Sequence, residues 1–553
     1  MANKSIDLKH HLSQSALRRQ SVYETISYSR GNASPNLVNL DSGVPASEYF
    51  PFETLSSEFL KPDTFPLDPN ISSVSQPSTK ENDGFLGWLA SFFTSSLSNK
   101  EDGATLDTLK IARYKQREGD FEVSTLMGYS PPAGLAPLET WVKDFVSKVY
   151  RPGYSDWATL VDIGAGDAFA KVLDVLASPG DGCFVDEWSY NHSLARMRSF
   201  KVTPFPVKID AGGLDPGDLE TILRNWDESK RGCSRPRLLL QVPVGQNPTG
   251  ITLSAERKRA IYAIAVQYDL IIIEDDPYYF QQFGAYVRES TEVRALKYAK
   301  ESNDREWIES LVPSFLRFDH QGRVVRFDTF SKTIGPGCRL GFFTASPLFR
   351  KHLMICQNNG TLQASGLSQA LVGTLLKEWG FDGYVRWLRG LRGRYRLRRD
   401  WTIDFLHERF NIKQSSIFVA YKYKKLVVDE KHLHVVDHHD EKEDHGGGTN
   451  PLFEFVPATS GMFLWLKVYY HHLVETRSPS EARTFLSDRL WKGLLDSGVL
   501  FRPGFVFQGR SEEERDQVDD TFAFLRMCYA MATHDELKKG VERFSKFIVE
   551  FFD

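Results

Sequence analysis

Two stretches of the chain hold side chains that could do chemistry together. The first runs from Gln241 to Phe280: QVPVGQNPTG, a helical pattern, then DLIIIEDDPYYF. An apolar strand ends, an Asn-Pro-Thr-Gly turn follows, a helix crosses over, and a second strand ends near Asp275. In open α/β sheets ligands collect beyond the carboxyl ends of strands, so Asn247, Asp275 and Tyr278 are expected near one crevice. The second stretch, Arg326 to Phe343, reads RFDTFSKTIGPGCRLGFF. A strand delivers Thr329, Ser331 and Lys332, a Gly-Pro-Gly turn follows, and Arg339 comes seven residues after the lysine. Alone, each piece is weak: a lysine after a strand ordinarily sits on the surface, an aspartate there ordinarily caps a helix, and NPTG ordinarily only turns the chain. Their joint order supplies an amine for an imine, a carboxylate, amide and phenol donors, and a cation with hydroxyls for an anion.

That set is what pyridoxal 5'-phosphate needs: a lysine for an imine link, a carboxylate beside the pyridine nitrogen, donors at the phenolic oxygen, and a guanidinium with hydroxyls at the phosphate. The combination NPTG, EDDPYY, SKTIGPGCRLG and FLRMCYA, in this order, resembles the class I/II pyridoxal-phosphate-dependent aminotransferases of fold type I. Within them it is most similar to fungal aromatic amino acid aminotransferases and kynurenine/2-aminoadipate aminotransferases. The likeness runs from about Asp41 to the C-terminus, interrupted by insertions. It implies that Lys332 carries the cofactor and moves the substrate proton, and that Asp275, three residues before Tyr278, partners the pyridine nitrogen in preference to Asp276. It implies Tyr278 and Asn247 at the phenolic oxygen, with Asn247 also toward substrate. Thr329, Ser331 and Arg339 are implied at the phosphate, Tyr190 of EWSYNHS stacked on the ring, and Arg526 on the substrate α-carboxylate, where a planar fork suits bidentate pairing. The GAGDA stretch, with Ala165, Gly166 and Asp167, falls where the family has its phosphate loop, and a Gly-rich turn opening a helix offers backbone N–H groups to an anion. Many relatives carry a hydroxyl or amide here, whereas Ala165 and Gly166 offer backbone alone. Gly43, in DSGVP, resembles a segment that touches substrate. Tyr129, in GYSPPAG, resembles the tyrosine that reaches the phosphate of a neighbouring subunit, which implies a homodimer with shared active sites.

Composition agrees with an enzyme that handles anions locally. The chain has 553 residues, 41% hydrophobic and 25% charged, and a net charge of 68 − 72 = −4. This excludes a wholly disordered or collagen-like chain, and the absence of a basic excess argues against nucleic acid as partner. Five scattered cysteines with no CxxC pair argue against a disulfide framework and a zinc site, so no metal is expected. Residues 1–30 have no apolar h-region. Leu12 to Gln20 carries Arg18 and Arg19 without an acidic residue, but Asp7 and Glu24 flank it. A cytoplasmic protein is expected, with mitochondria the alternative. The apolar segment Phe85 to Leu97 is shorter than the roughly 20 residues that span a bilayer, and is expected to pack on protein.

The elements that must position these residues alternate strand and helix. Leu238–Val242, Leu270–Ile273, Val324–Phe327 and Leu340–Phe343 read as strands, and Ser254 caps a helix bearing Ala260, Ile261, Ile264, Ala265 and Tyr268 on one face. Such alternation gives an α/β unit with a mostly parallel sheet. Further on, Lys377–Arg409 reads as a long helix, Met462–Val468 and Thr521–Ala530 as strands, and Thr533 with Glu536 opens a last helix, which points to a smaller α+β domain. The division expected is an arm at 1–40, small-domain residues at 41–125 with a Ser/Pro-rich insertion, a large cofactor domain at 126–375, and a C-terminal small domain at 376–553. Insertions are expected at 65–105, 284–322 and 421–457. The last holds His432, His434, His438, His439 and His445 among charged residues, and is read as a solvated surface insertion in preference to a metal site. The expected activity is transfer of an amino group from an aromatic, kynurenine-like or 2-aminoadipate-like amino acid to a 2-oxo acid such as 2-oxoglutarate, with no membrane partner. The rivals are a carbon–sulfur lyase, which would share the cofactor residues, and a cofactor-binding transcription regulator. The latter needs an N-terminal helix-turn-helix that the first ~110 residues do not suggest.

Overall fold

The computed structural model describes residues 3–21, 43–67, 106–290, 293–294, 303–422, 450–470, 473, 481, 485–509 and 522–553. The apolar segment 85–97 and all five histidines of the 421–457 block lie outside these residues. The chain divides into two compact units, one of Met1–Ser178 with Glu289–Arg394, the other of Pro179–Arg288 with Tyr395–Asp553.

In the first unit three strands lie antiparallel, Ala158–Asp162 beside Gly341–Ala345 beside Val324–Thr329. Their register sets Asp162, Gly341 and Thr329 in one row. The loop after Asp162 and the turn after Thr329 therefore leave the sheet side by side. Only glycine serves at 341, because a Cβ there would lie 2.3 Å from the Asp328 carbonyl oxygen and 3.1 Å from Gly164 Cα. Helices Ala136–Val149, Ala165–Leu176 and Pro347–Asn359 belong to this unit; the first buries Leu138, Val142, Phe145, Val146 and Val149, one stripe at helical spacing. Residues 366–409 are helical with a break at Gly380, whose φ of +65° suits glycine. The N-terminal residues look polar in composition, yet Leu8, Leu12 and Ala16 are buried. Ser13 caps the short helix Gln14–Arg18 and ties it to the end of Ala165–Leu176, donating N–H to Val175 O and its hydroxyl to Asp174 O. Thr54–Phe59 pairs antiparallel with Asp107–Ala112, so the chain between them leaves and re-enters through adjacent strands.

The second unit holds the expected parallel sheet, in the order Thr203–Val207, Gly182–Asp186, Leu238–Gln241, Ile271–Asp275. The last three strands are buried along their whole length, as a parallel sheet covered on both faces requires. Ser254 accepts Arg257 N–H and starts helix Ala255–Gln267, which buries Ile261, Ile264 and Ala265. Lys258 and Tyr262 join that face, whereas Ala260 is exposed. A six-stranded antiparallel sheet runs Asn411–Lys413, Phe418–Tyr421, Phe453–Phe455, Phe463–Tyr469, Phe522–Cys528, Arg502–Pro503. Phe418–Tyr421 and Phe453–Phe455 are neighbours, so the His-rich block leaves and returns by paired strands, and its two ends belong to the sheet. The five cysteines are free thiols. Among the described residues no helix is long and apolar enough to cross a membrane.

The last helix, His534–Phe552, opens on a reciprocal capping box and buries Leu537, Val541, Phe544 and Ile548. Thr533→Ala removes the hydroxyl that accepts Glu536 N–H, and is expected to weaken the helix start by about 1 kcal/mol. The check is faster amide exchange in the first turn with little change elsewhere.

Candidate active site

In the first unit the strand end at Asp162 leads into Gly164, whose φ of +117° turns the chain sharply into helix Ala165–Leu176. Asp167 and Ala168 N–H bond back to Gly164 O, which leaves the first-turn N–H groups of Ala165 and Gly166 as donors for an anion. A Cβ on Gly164 would meet Arg339 Nη2 at 3.2 Å and Thr329 Oγ1 at 3.5 Å, so loop, hydroxyl and guanidinium surround one small space. Thr329 ends its strand, caps the turn Phe330–Lys332 by accepting Ser331 N–H, and lies 2.8 Å from Ser331 Oγ. Arg339 donates Nη1 to Ser331 Oγ at 3.3 Å and to Pro336 O at 3.1 Å. Lys332 closes that turn, half-buried, and the next residue is held from the helix side: Tyr384 donates to Thr333 Oγ1 and Trp387 Nε1 to Thr333 O.

An acidic residue in the first turn of a helix that could take an anion needs its charge accounted for. Asp167 pairs with Lys171, which also pairs with the fully buried Asp162 and donates to Gln357 Oε1. Lys171 thus takes up the Asp167 charge and leaves the helix start favourable to an anion. Burial, opposed by Lys171, pushes the Asp162 carboxyl up to about 6. Its other oxygen accepts Gly164 N–H at 3.1 Å and holds the loop. Tyr129 is 68% exposed, and Gly43 lies in open space.

In the second unit Asp275 is the last residue of its strand, buried, with Tyr278 buried three residues on. Burial and then the Asp275 charge raise both the Tyr278 and the Tyr190 phenols, so this carboxylate, and not Asp276, is the one that acts on both. Asn247, buried in the NPTG turn, accepts Arg526 Nη1 at 2.7 Å. The Arg526 guanidinium lies over Phe463 at 4.5 Å and Phe507 at 4.8 Å, and its buried Nε has no hydrogen-bond partner among the described residues. A half-buried fork gripped at one nitrogen and flanked by two rings is ready for a carboxylate.

Behind these residues stands Asp186, which the sequence did not single out. It ends strand Gly182–Asp186 and accepts both Gln241 Nε2 and Gln246 Nε2 at 3.0 Å. Gln246 also donates to Trp188 O and accepts from Thr249. One buried carboxylate therefore holds the NPTG turn and the segment leading to Tyr190. Phe463 and Phe507 were missed too. Gln246, directly before Asn247, was the signal available for the network. The structure gathers Ala165, Gly166, Asp167, Thr329, Ser331, Lys332 and Arg339 in the first unit, and Tyr190, Asn247, Asp275, Tyr278 and Arg526 in the second. Hydroxyls, guanidinium and backbone donors fit a phosphate, and a buried carboxylate beside two phenols fits a protonated ring nitrogen, so these residues fit pyridoxal phosphate.

Comparison with known proteins agrees. The profile of the family described as aminotransferase class I and II matches residues 98–544. An aromatic amino acid aminotransferase of Schizosaccharomyces pombe is 29% identical over 551 residues, covering 99% of this chain and 98% of the relative. An L-tyrosine:2-oxoglutarate aminotransferase of Tapinella panuoides is 29% identical over 562 residues, covering 100% and 97%. The crystal structure of an aminotransferase from Candida albicans superposes with a TM-score of 0.77 at 27% identity, covering 100% of both chains.

Burial pushes the Asp186 carboxyl up to about 6, against the two amide hydrogen bonds that favour its charge. A carboxyl raised above its unfolded value contributes stability that is fully present below the unfolded pKa and is lost as pH rises through about 6. Asp186→Asn is neutral throughout. Between pH ~4 and ~7 its melting temperature is expected to gain on that of the wild-type chain. Parallel melting curves over that range would remove this account of the network.

Proposed function

The chain belongs to the class I and II aminotransferases, and on that premise we propose that it moves the amino group of an aromatic, kynurenine-like or 2-aminoadipate-like amino acid to a 2-oxo acid such as 2-oxoglutarate. Its fold is that of the fold type I pyridoxal-phosphate-dependent transferases, α/β with a mostly parallel sheet. The observation that carries the reading is Arg526, held by Asn247 and two rings with Nε unpartnered, a carboxylate grip of the kind both an amino acid and an oxo acid require. The names of the relatives, aromatic amino acid and L-tyrosine:2-oxoglutarate aminotransferases, support the donor and the acceptor. They do not favour a carbon–sulfur lyase.

Pyridoxal phosphate, when bound, supplies an aldehyde for the amine and a ring that withdraws electrons from the α-carbon. The chain's own groups do the rest. Backbone N–H of Ala165 and Gly166, the Thr329 and Ser331 hydroxyls and Arg339 bind the phosphate, with Asp167 held in the loop by Lys171. Asp275 keeps a proton on the ring nitrogen. Tyr278 and Asn247 would donate to the phenolic oxygen, and Tyr190 would hold the ring. Arg526 fixes the α-carboxylate of donor and acceptor alike. Lys332 would take up and give back the proton of the substrate α-carbon, so donor and acceptor use one site in turn and ping-pong kinetics follow. Gly43 borders the substrate. The protein acts as a cytoplasmic homodimer in which Tyr129 of one subunit reaches the phosphate held by the other. The division into an arm at 1–40, a cofactor domain at 126–375 and small-domain segments at 41–125 and 376–553 is part of the same proposal.

Lys332→Ala is expected to abolish turnover and the visible imine absorption while leaving the fold intact by circular dichroism. Retained catalysis would sink the assignment. A panel of amino donors with 2-oxoglutarate, followed by glutamate formation, tests the donor class: tyrosine, phenylalanine, kynurenine and 2-aminoadipate should exceed alanine and aspartate. Pyruvate and ammonia from a cysteine conjugate, without amino transfer, would replace this reading by the lyase.

A further inference from the structure

The six-stranded sheet of the second unit ends on the edge strand Arg502–Pro503, which pairs antiparallel with Phe522–Cys528 so that Arg502 stands directly opposite Arg526. Directly opposed residues project from the same face of a sheet, with Cβ atoms about 5 Å apart, and like charges in such a pair destabilise the ladder. Two guanidiniums in one row call for a partner of opposite charge.

Among the described residues this face offers them none. The next residue inward along the row is Trp465, opposite Arg526 on strand Phe463–Tyr469. Around it lie Phe524, stacked on Trp465 at 5.2 Å, and Phe507, edge-on to it at 5.9 Å. A carboxylate on the same face, Glu454, stands two strands further in and is taken up by Lys467 and Tyr469. The groups that act most strongly on the Arg526 charge, after burial itself, are Cys528, Tyr278, Arg502 and Tyr190, and none is a carboxylate. Arg526 keeps a buried, unpartnered Nε, while Arg502 is exposed at the sheet edge. The pair is thus one inner and one outer guanidinium in a single register row, with aromatic rings on the inner side.

We propose that Arg502 and Arg526 form a two-guanidinium site for a dicarboxylate, Arg526 taking the carboxylate beside the reacting carbon and Arg502 the distal one. Arg502 then sets the preference for a five-carbon acidic oxo acid over oxo acids with one carboxylate. The inference rests on the aminotransferase reading and on the role given there to Arg526. It adds a specificity residue that the motifs do not mark, since Arg502 lies 24 positions before Arg526 and is joined to it by sheet register alone.

The test uses the holoenzyme with Arg502→Gln and Arg502→Lys. With tyrosine as donor, kcat/KM is measured for 2-oxoglutarate and for phenylpyruvate. Loss of one charge-assisted contact is expected to lower the 2-oxoglutarate to phenylpyruvate ratio about tenfold in Arg502→Gln, with partial recovery in Arg502→Lys. Calorimetric titration of the same proteins with glutarate and with butyrate gives a readout independent of turnover, and the glutarate to butyrate affinity ratio should fall with it. Unchanged ratios in both measurements would overturn the proposal. A wild-type enzyme that transferred no amino group would instead overturn the functional reading, and the glutarate comparison would still decide for or against Arg502.

Discussion

Two buried carboxylates at strand ends, Asp162 and Asp186, hold the loops on which everything else depends. Each sits where a strand stops and the chain must turn without regular backbone pairing. Buried polar groups there need partners, and a carboxylate can accept several hydrogen bonds at once. Asp162 fixes Gly164 N–H and, through Lys171, the first turn of Ala165–Leu176. Asp186 fixes Gln241 and Gln246, and through Gln246 the Trp188 carbonyl and Thr249. Burial pushes both carboxyls up to about 6, so each spends part of the stability its hydrogen bonds supply on holding a charge out of water. That strain is tolerable because each network is closed on several sides.

The guanidiniums follow a different logic. Arg326, wholly buried, is matched by Asp328 through two hydrogen bonds and lies over Tyr150 at 4.1 Å. Arg526 has rings, an amide and, among the described residues, no carboxylate. A charge neutralised within the protein serves packing, whereas one stabilised by aromatic faces and left short of an anion serves binding. The same contrast separates Asp167, neutralised by Lys171, from Arg339, which among the described residues donates to the Ser331 hydroxyl and the Pro336 carbonyl and meets no carboxylate.

Much of the fold was legible because the strands are short, apolar and bounded by turn residues. Ile271–Asp275 and Leu238–Gln241 lie where continuous apolar runs placed them, and the Thr533–Glu536 spacing marked the last helix. Periodicity failed where a polar side chain was buried: Lys258 sits on the inner face of Ala255–Gln267, and exposed Ala260 looked apolar enough to belong there. Composition likewise hid the packing of residues 3–21, because three small contacts at Leu8, Leu12 and Ala16 are diluted by polar neighbours.

By itself the sequence determined the chemistry, since a lysine, an aspartate and an arginine in fixed order around NPTG and SKTIGPGCRLG restrict which reactive groups the chain can offer. It also determined which strands exist, because hydrophobic runs depend on local order alone. Only the tertiary structure decided what stands beside those groups. Asp186 is separated from Gln246 by 60 positions, and Asn247 from Arg526 by 279, yet each pair is hydrogen-bonded. Such neighbours are chosen by strand order and register, which arise from packing of the whole sheet, and no spacing along the chain encodes them.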